Sequence, residues 1–466
     1  METAENYLIK INTYPQSRTL YARSVFKQFF EGRMPEDEFL CMDFVKDKKR
    51  VKVIKREGSK NPHHVYFKSL GRLGMIDSRD AEAYEICLPV LYSKTAQEIY
   101  SCHPKGTYIV AVKIIPLTQE EINYPGDIDF SSWRELKILE LLTDYVSHGI
   151  NPNLPFLYSY GTCRKTNPRI YENKNLVQEM KNWKKVSKLE KGRDTMDPNQ
   201  KRQLTRLKNK TREFSTQSLL IFNEIADMDL AHWLDLNAKT MTPGHLESLV
   251  FQILAGLESV HDEGLLHLDL HLSNVLVSKT NDVIYYYNVA GESYYIPLEG
   301  CGLMKIWDFG RCIPVEHASY DEINRRIKKT YQSIVAYPKA NAYEIIDENL
   351  EKDLHGYFKY VQSYDAMRIL SAISTEVRKL TKRSEILPVL DMMDKMVDDA
   401  FEDISTGLLK KSKAEPKGTS QTLIKVHFPE KYRNFPETGI LANPGKPFKL
   451  SKKDLEIAKK GGKSFM

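Results

Sequence analysis

Two short segments carry side chains whose types and spacing could do chemistry. The first is His267-Leu268-Asp269-Leu270-His271-Leu272-Ser273-Asn274-Val275-Leu276-Val277, and the second is Ile306-Trp307-Asp308-Phe309-Gly310. An acid, an amide five residues later and a second acid beside Phe-Gly suit phosphoryl transfer from a Mg2+-nucleotide. One carboxylate accepts a hydroxyl proton, while the amide and the other carboxylate hold metal against the phosphates. Either acid could instead be an ordinary capping or loop aspartate. The apolar strands Val275-Leu276-Val277 and Met304-Lys305-Ile306 beside them favour the chemical reading.

Elements must hold these groups in place. Thr242-Pro243 is a helix start, a capping hydroxyl with proline at the first helical position. Leu246, Leu249, Val250, Ile253, Leu254 and Leu257 form one apolar face, and Gly264 ends that helix just before His267. Upstream the texture is strand-like. Val65-Tyr66-Phe67 leads to Gly71-Arg72-Leu73-Gly74, and residues Tyr108 to Ile115 have the β-branched content of a buried strand. Ser131-Ser132 offers an N-cap before Trp133, and Leu136, Leu139 and Leu142 recur about one turn apart. Asn151-Pro152-Asn153-Leu154 breaks that helix and introduces a strand at Phe156 to Tyr160. Leu219 to Ile225 reads as another strand running into a linker. From about Gln362 helical texture dominates, through Tyr364 to Leu380 and Ile386 to Ile404. Strands first, then mostly helices, predict a small sheet-rich lobe joined to a larger helical lobe, with a nucleotide cleft between them.

The length of 466 residues suits such a two-lobed unit with extensions, and a hydrophobic fraction of 41% is enough for a core. No run of about 18 apolar residues exists, so no membrane span is expected. Met1-Glu2-Thr3-Ala4-Glu5 is unlike a secretory signal, and six cysteines without a CxxC pair point to reduced thiols inside a cell and away from zinc. The net charge of +6 is unevenly placed, with Lys and Arg dense from about Lys174 to Arg212 and again after about Leu408. These are read as solvated segments; attraction to nucleic acid, acidic protein or anionic membrane is the sharper alternative. Neither interleaves aromatics regularly, which weakens the nucleic-acid reading.

From roughly Val65 to Ile404 the chain resembles the protein-kinase fold. The resemblance implies an α+β, protein-kinase-like bilobal fold: an antiparallel sheet with one main helix in the N-lobe and a larger, mostly helical C-lobe. The expected boundaries are an N-terminal extension over 1–62, an N-lobe over 63–225 with a basic insertion at about 173–213, a C-lobe over 226–404, and a basic tail containing Pro and Gly over 405–466. Val110-Ala111-Val112-Lys113 resembles the VAIK strand. By resemblance, Lys113 neutralises phosphate oxygens and Glu135 fixes it, with Glu140, Glu120 and Glu121 as rival partners. Asp269 is the base, Asn274 and Asp308 are the metal ligands, Phe309 packs beneath the helix carrying Glu135, and Gly310 permits a backbone turn. Ala111 and Leu276 sandwich adenine, Glu224 and Ile225 pair with its edge through their backbone, and Asn223 lies just before them. Gly71 and Gly74 approach the phosphates. His267 is expected to pack inside and bond backbone, and Asp365 to be a buried acid opening the helix under the catalytic loop.

The sequence also departs from that pattern. Gly71 and Gly74 give GxxG in place of GxGxxG, leaving a differently shaped loop containing Ser78 or retention through Lys113 and metal. Leu268 stands where many kinases have arginine, and His271 where serine/threonine kinases usually have lysine. No Ala-Pro-Glu follows Gly310, and a Tyr-rich insertion from about Asn281 to Gly302 is expected to extend a β-hairpin. This mixture resembles the divergent protein kinases of large nucleocytoplasmic DNA viruses. The resemblance implies an ATP- and Mg2+-dependent protein kinase of serine/threonine type, with a protein substrate. Its expected place is intracellular, in the host cytoplasm if viral, with packaging into the virion as a further option. A small-molecule or lipid kinase of the same fold, and a catalytically weak kinase-like virion scaffold, are the rival readings. The oligomeric state is open.

Overall fold

The computed structural model describes residues 39–40, 51–54, 63–76, 79–89, 107–147, 150–164, 198, 201, 214–224, 226–278, 284–298, 300–315, 354–404 and 415–433. Ser78, Ile225, nearly all of the basic insertion, residues 316–353 and most of the tail lie outside them. The described residues form two compact units, one of 39–137 and 157–224, the other of 138–156 and 226–433. Both mix helices with mainly antiparallel sheets.

The first unit is built on a seven-stranded sheet: β1 (Phe39–Leu40), β2 (Val51–Ile54), β3 (His63–Ile76), β4 (Arg79–Pro89), β5 (Thr107–Thr118), β6 (Leu157–Arg164) and β7 (Phe214–Asn223). Their order is β1-β6-β7-β5-β4-β3-β2, antiparallel except for the parallel β1–β6 pair. Both outermost strands come from residues 1–62, so part of the expected N-terminal extension belongs to the sheet. Such short strands have no periodicity to read; their partners define them. β5 is central, with Lys113 opposite Ala83 on β4 and Ile221 on β7. Helix α1 (Gln119–Asn123) follows β5, then α2 (Ser131–Ser147), whose residues from Ile138 onward belong to the second unit.

The second unit begins, after Ala226, with β8 (Met228–Asp229), α3 (Leu230–Asn237) and α4 (Pro243–Asp262). Thr242 Oγ1 accepts the His245 N–H and His245 reaches back to the Thr242 N–H, a reciprocal cap on α4. Then come β9 (Leu265–Leu266), β10 (Val275–Ser278), β11 (Ile284–Val289), β12 (Glu292–Pro297), β13 (Leu303–Ile306) and β14 (Ile313–Pro314). Helices α5 (Leu354–Leu380), α6 (Leu387–Glu402) and α7 (Ser420–His427) complete it. The Tyr-rich insertion does form a hairpin, β11–β12. Ala290 and Gly291 at its tip both have positive φ, the geometry that matches strand twist in a two-residue turn. Tyr287 and Tyr294 set their rings 5.2 and 5.1 Å from Phe251 on α4, so the hairpin is part of the core.

The tail expectation needs correction over 415–433. Leu423 and Ile424 of α7 are fully buried, and Phe428 packs 5.1 Å from Phe251. Lys431 Nζ lies 2.6 Å from a carboxylate oxygen of Glu247 on α4, and the Tyr432 hydroxyl donates to the same oxygen. An eight-residue helix with two adjacent apolar residues shows too little periodicity to be seen among surrounding lysines.

Candidate active site

Lys113 is 1% exposed on a central strand. An ammonium this dry persists only with a counter-charge. Glu135 on α2 provides it, with Oε1 2.5 Å from Lys113 Nζ. The rival Glu121 does other work. Its Oε2 accepts the Thr118 N–H at 2.7 Å, its Oε1 accepts the Ser132 hydroxyl at 2.8 Å, and its carbonyl accepts the Trp133 indole N–H at 2.7 Å. Glu121 thereby ties α1 to the first turn of α2 and sets the direction from which Glu135 approaches. Ala111 lies two residues before Lys113 on β5, opposite Asn223 on β7, so all three share one face of the sheet. Asn223 is fully buried, and Glu224 follows it at the end of β7. Gly71 and Gly74 both lie within β3. Its register against β4 slips between Ser69 and Gly71 and again between Leu73 and Met75, so Gly74 is an extra residue on the bulged strand.

The second unit holds the acids. Gly264, at φ +66°, turns the chain out of α4 into β9 and the loop that follows. Asp365, fully buried in α5, supports that loop from below. Its Oδ2 accepts the His267 N–H at 2.7 Å and its Oδ1 the Leu268 N–H at 2.8 Å, with His261 Nε2 at 3.3 Å. Burial alone raises this carboxyl, but His261 and the His267 N–H outweigh it and hold it below the ordinary value. Asp365 sits well inside the 27-residue α5, not at its opening. Leu268 is forced to φ +57°, a left-handed backbone that disfavours side chains.

His267 bonds backbone on both sides. Its Nδ1 faces the Asp269 N–H at 3.4 Å, which leaves Nε2–H to donate to the Trp307 carbonyl at 3.0 Å. Its ring lies 5.2 Å from that of Phe309, which is fully buried. The antiparallel register Val275–Ile306 on β10 and β13 sets Asn274 opposite Trp307, whose N–H donates to the Asn274 carbonyl at 2.8 Å. Asn274 and Asp308 are thus neighbours despite their separation along the chain. The Asn274 Nδ2 donates to the Asp269 carbonyl at 2.9 Å, so the amide presents its Oδ1 on the other side. Asp308, at φ +63°, turns directly into a short 3-10 turn over Phe309–Arg311 that includes Gly310. Leu276 stands on β10, opposite Lys305 on β13.

Two residues escaped the sequence reading. Arg368 on α5 donates from Nη1 to the Leu268 carbonyl at 2.8 Å and from Nη2 to Asp269 Oδ1 at 3.0 Å. Arg311 sets Nη1 3.3 Å from Asp269 Oδ2. The available signal was spacing: Arg368 lies three residues after Asp365, on the same helix face. His271 Nδ1 accepts the Ser273 N–H at 3.2 Å. Burial pushes the His271 imidazole below its usual value, against the pull of the Asp269 carboxylate.

The sequence profile described as "Protein kinase domain" matches residues 159–355, a stretch that takes in Glu224, Asp269, Asn274 and Asp308. Lys113 and Glu135 precede it and stand on their geometry. The chain is also similar to an uncharacterised protein of African swine fever virus, a large DNA virus. It is 26% identical over 188 residues to that of strain Badajoz 1971 Vero-adapted, and 25% identical over 188 residues to that of isolate Pig/Kenya/KEN-50/1950. Each match covers 35% of this chain and 26% of the viral protein. No helix among the described residues is long and apolar enough to cross a membrane.

Proposed function

We propose that the chain is an ATP- and Mg2+-dependent protein kinase that phosphorylates serine or threonine hydroxyls, with a bilobal kinase fold. In this reading residues 63–225, extended by the strands at 39–40 and 51–54, form the N-lobe and residues 226–404, extended by 415–433, the C-lobe. One observation carries it: the β10–β13 register sets Asn274 beside Asp308 while the Asn274 amide is bonded to Asp269. A carboxylate and an amide oxygen are hard donors that suit Mg2+ shared with phosphate oxygens. Bound there, Mg2+ supplies charge neutralisation to the triphosphate.

The chain's own groups then have separate tasks. Lys113, held by Glu135, neutralises phosphate oxygens. Ala111 and Leu276 hold the base, and the backbone of Glu224 and Ile225 reads its edge. Asp269 orients the acceptor hydroxyl and takes its proton. Catalysis in this arrangement is positioning and electrostatics. Relatives from a DNA virus make the host cell interior its expected place of action.

A second reading, a kinase of small molecules, is favoured by His271. Its Nδ1 accepts an N–H and its pKa is lowered, so at neutral pH it is an uncharged group where protein kinases usually carry lysine. Incubation with labelled ATP and either mixed proteins or mixed metabolites separates the two. Label on protein, lost in Asp269→Asn, supports the protein kinase. Label on metabolites alone overturns it, and label on neither removes both.

A further inference from the structure

Asp269 is the group the proposed reaction depends on, yet its own loop gives it no cation, since Leu268 precedes it. The guanidinium it does have comes from helix α5. Arg368 spans the loop with two bonds, one to the Leu268 carbonyl and one to Asp269 Oδ1. It is only 15% exposed and lies one turn from Asp365, which holds the Leu268 N–H. The same helix therefore grips both the backbone of Leu268 and the carboxylate of Asp269. Arg311 sets Nη1 farther off, 3.3 Å from the other oxygen, Oδ2, and its side chain is 39% exposed.

We propose that Arg368 is the positioning residue of this site. It fixes Asp269 Oδ1 so that Oδ2 receives the acceptor hydroxyl, and Arg311 covers Oδ2 until that acceptor arrives. The asymmetry decides which arginine does which. A mostly buried two-point contact on a long helix holds geometry, whereas a longer, more exposed contact from a short turn yields to a competing donor. The proton leaving the hydroxyl goes to Oδ2 as the hydroxyl oxygen bonds to phosphorus and the bond to the nucleoside diphosphate breaks. The guanidinium on Oδ1 keeps the carboxylate rotationally fixed during the transfer.

The inference rests on the kinase reading, and the experiment separates the two. In the full-length protein, Arg368→Ala is expected to lower kcat at least about tenfold, as loss of alignment at a general base does. KM for Mg-ATP stays within about twofold, because Arg368 touches no group assigned to nucleotide. Arg368→Lys, which keeps the charge but cannot span both contacts, is expected to recover part of kcat. Should Arg368→Ala not fold, Arg368→Gln, which keeps a donor for the Leu268 carbonyl, is measured for the same two quantities. A kcat within twofold of the unmodified protein overturns the proposal. So does a fall in kcat that comes with a KM for Mg-ATP raised well beyond twofold and with no recovery in Arg368→Lys, which marks a merely structural role. An unmodified protein that transfers no phosphate defeats the kinase reading itself, whatever Arg368 does.

Discussion

Lys113 and Glu135 form an ion pair at 2.5 Å in which both side chains are only 1% exposed. Taking one member away removes a close counter-charge from the other in a dry interior. Glu135→Ala is therefore expected to destabilise the protein by about 3 kcal/mol, while the double change with Lys113→Met recovers most of that loss. Urea unfolding of the two singles and the double measures the coupling. Equal losses for Glu135→Ala and the double would show that the pair is not what holds this region.

In the proposed mechanism Asp269 and Asp308 have different tasks, and their substitutions should separate accordingly. Asp269→Asn removes the proton acceptor and is expected to cost on the order of 10³-fold in transfer. Its thermal stabilisation by Mg-ATP remains. Asp308→Asn takes a charged oxygen donor from the metal, so the stabilisation should shrink or vanish together with activity. A thermal-shift titration with Mg-ATP beside a transfer assay reads both. A fully active Asp269→Asn protein would remove the mechanism.

Glu258 on α4 gives the fold a pH dependence. Burial, and then the neighbouring Asp262, push its carboxyl up to about 7, although Gln421 donates to it at 2.9 Å. Between 4.5 and about 7 the folded protein keeps a proton that the unfolded chain has released. Stability from this group is therefore full below that window, falls as pH rises through it and stays low above. Glu258→Gln keeps an acceptor for Gln421 without the charge. It should stabilise the protein by on the order of 2 kcal/mol at pH 8 and change little at pH 4. Denaturant curves at both pH values provide the check, and an equal effect at each would contradict it.

Ile424 is fully buried on α7, within the segment expected to be a tail. Ile424→Ala should cost about 2–4 kcal/mol, the usual range for emptying a core site. A surface tail would give almost nothing. The unfolding midpoint decides between these outcomes.

The acids and the amide were legible because their constraint is local. Asp269 and Asn274 share one loop, and the apolar runs on either side of the chemistry pair as β10 and β13, which brings Asp308 alongside. The Lys113 strand and the α2 helix were also legible from composition and period. Glu135 was favoured over Glu121 by resemblance, and the coordinates add the reason: Glu121 is already engaged with Thr118, Ser132 and Trp133. Arg368 was invisible as a partner of Asp269 because nothing in a single chain ties an arginine to an acid 99 residues earlier. β1, β2 and α7 were missed for a related reason. Each is too short to carry a period, and its place comes from the surfaces it covers.

Leu268 and Asp308, the residue before the proposed base and a proposed metal ligand, both sit at positive φ without being glycine. Such backbones cost on the order of 1–3 kcal/mol each and persist only while neighbours hold them. For Leu268 the latch is the Asp365 carboxylate on its N–H and Arg368 on its carbonyl. Cutting that latch lets the peptide spring back toward an extended path and swings Asp269 with it. The loop is cocked, and its aim is stored in the helix beneath it.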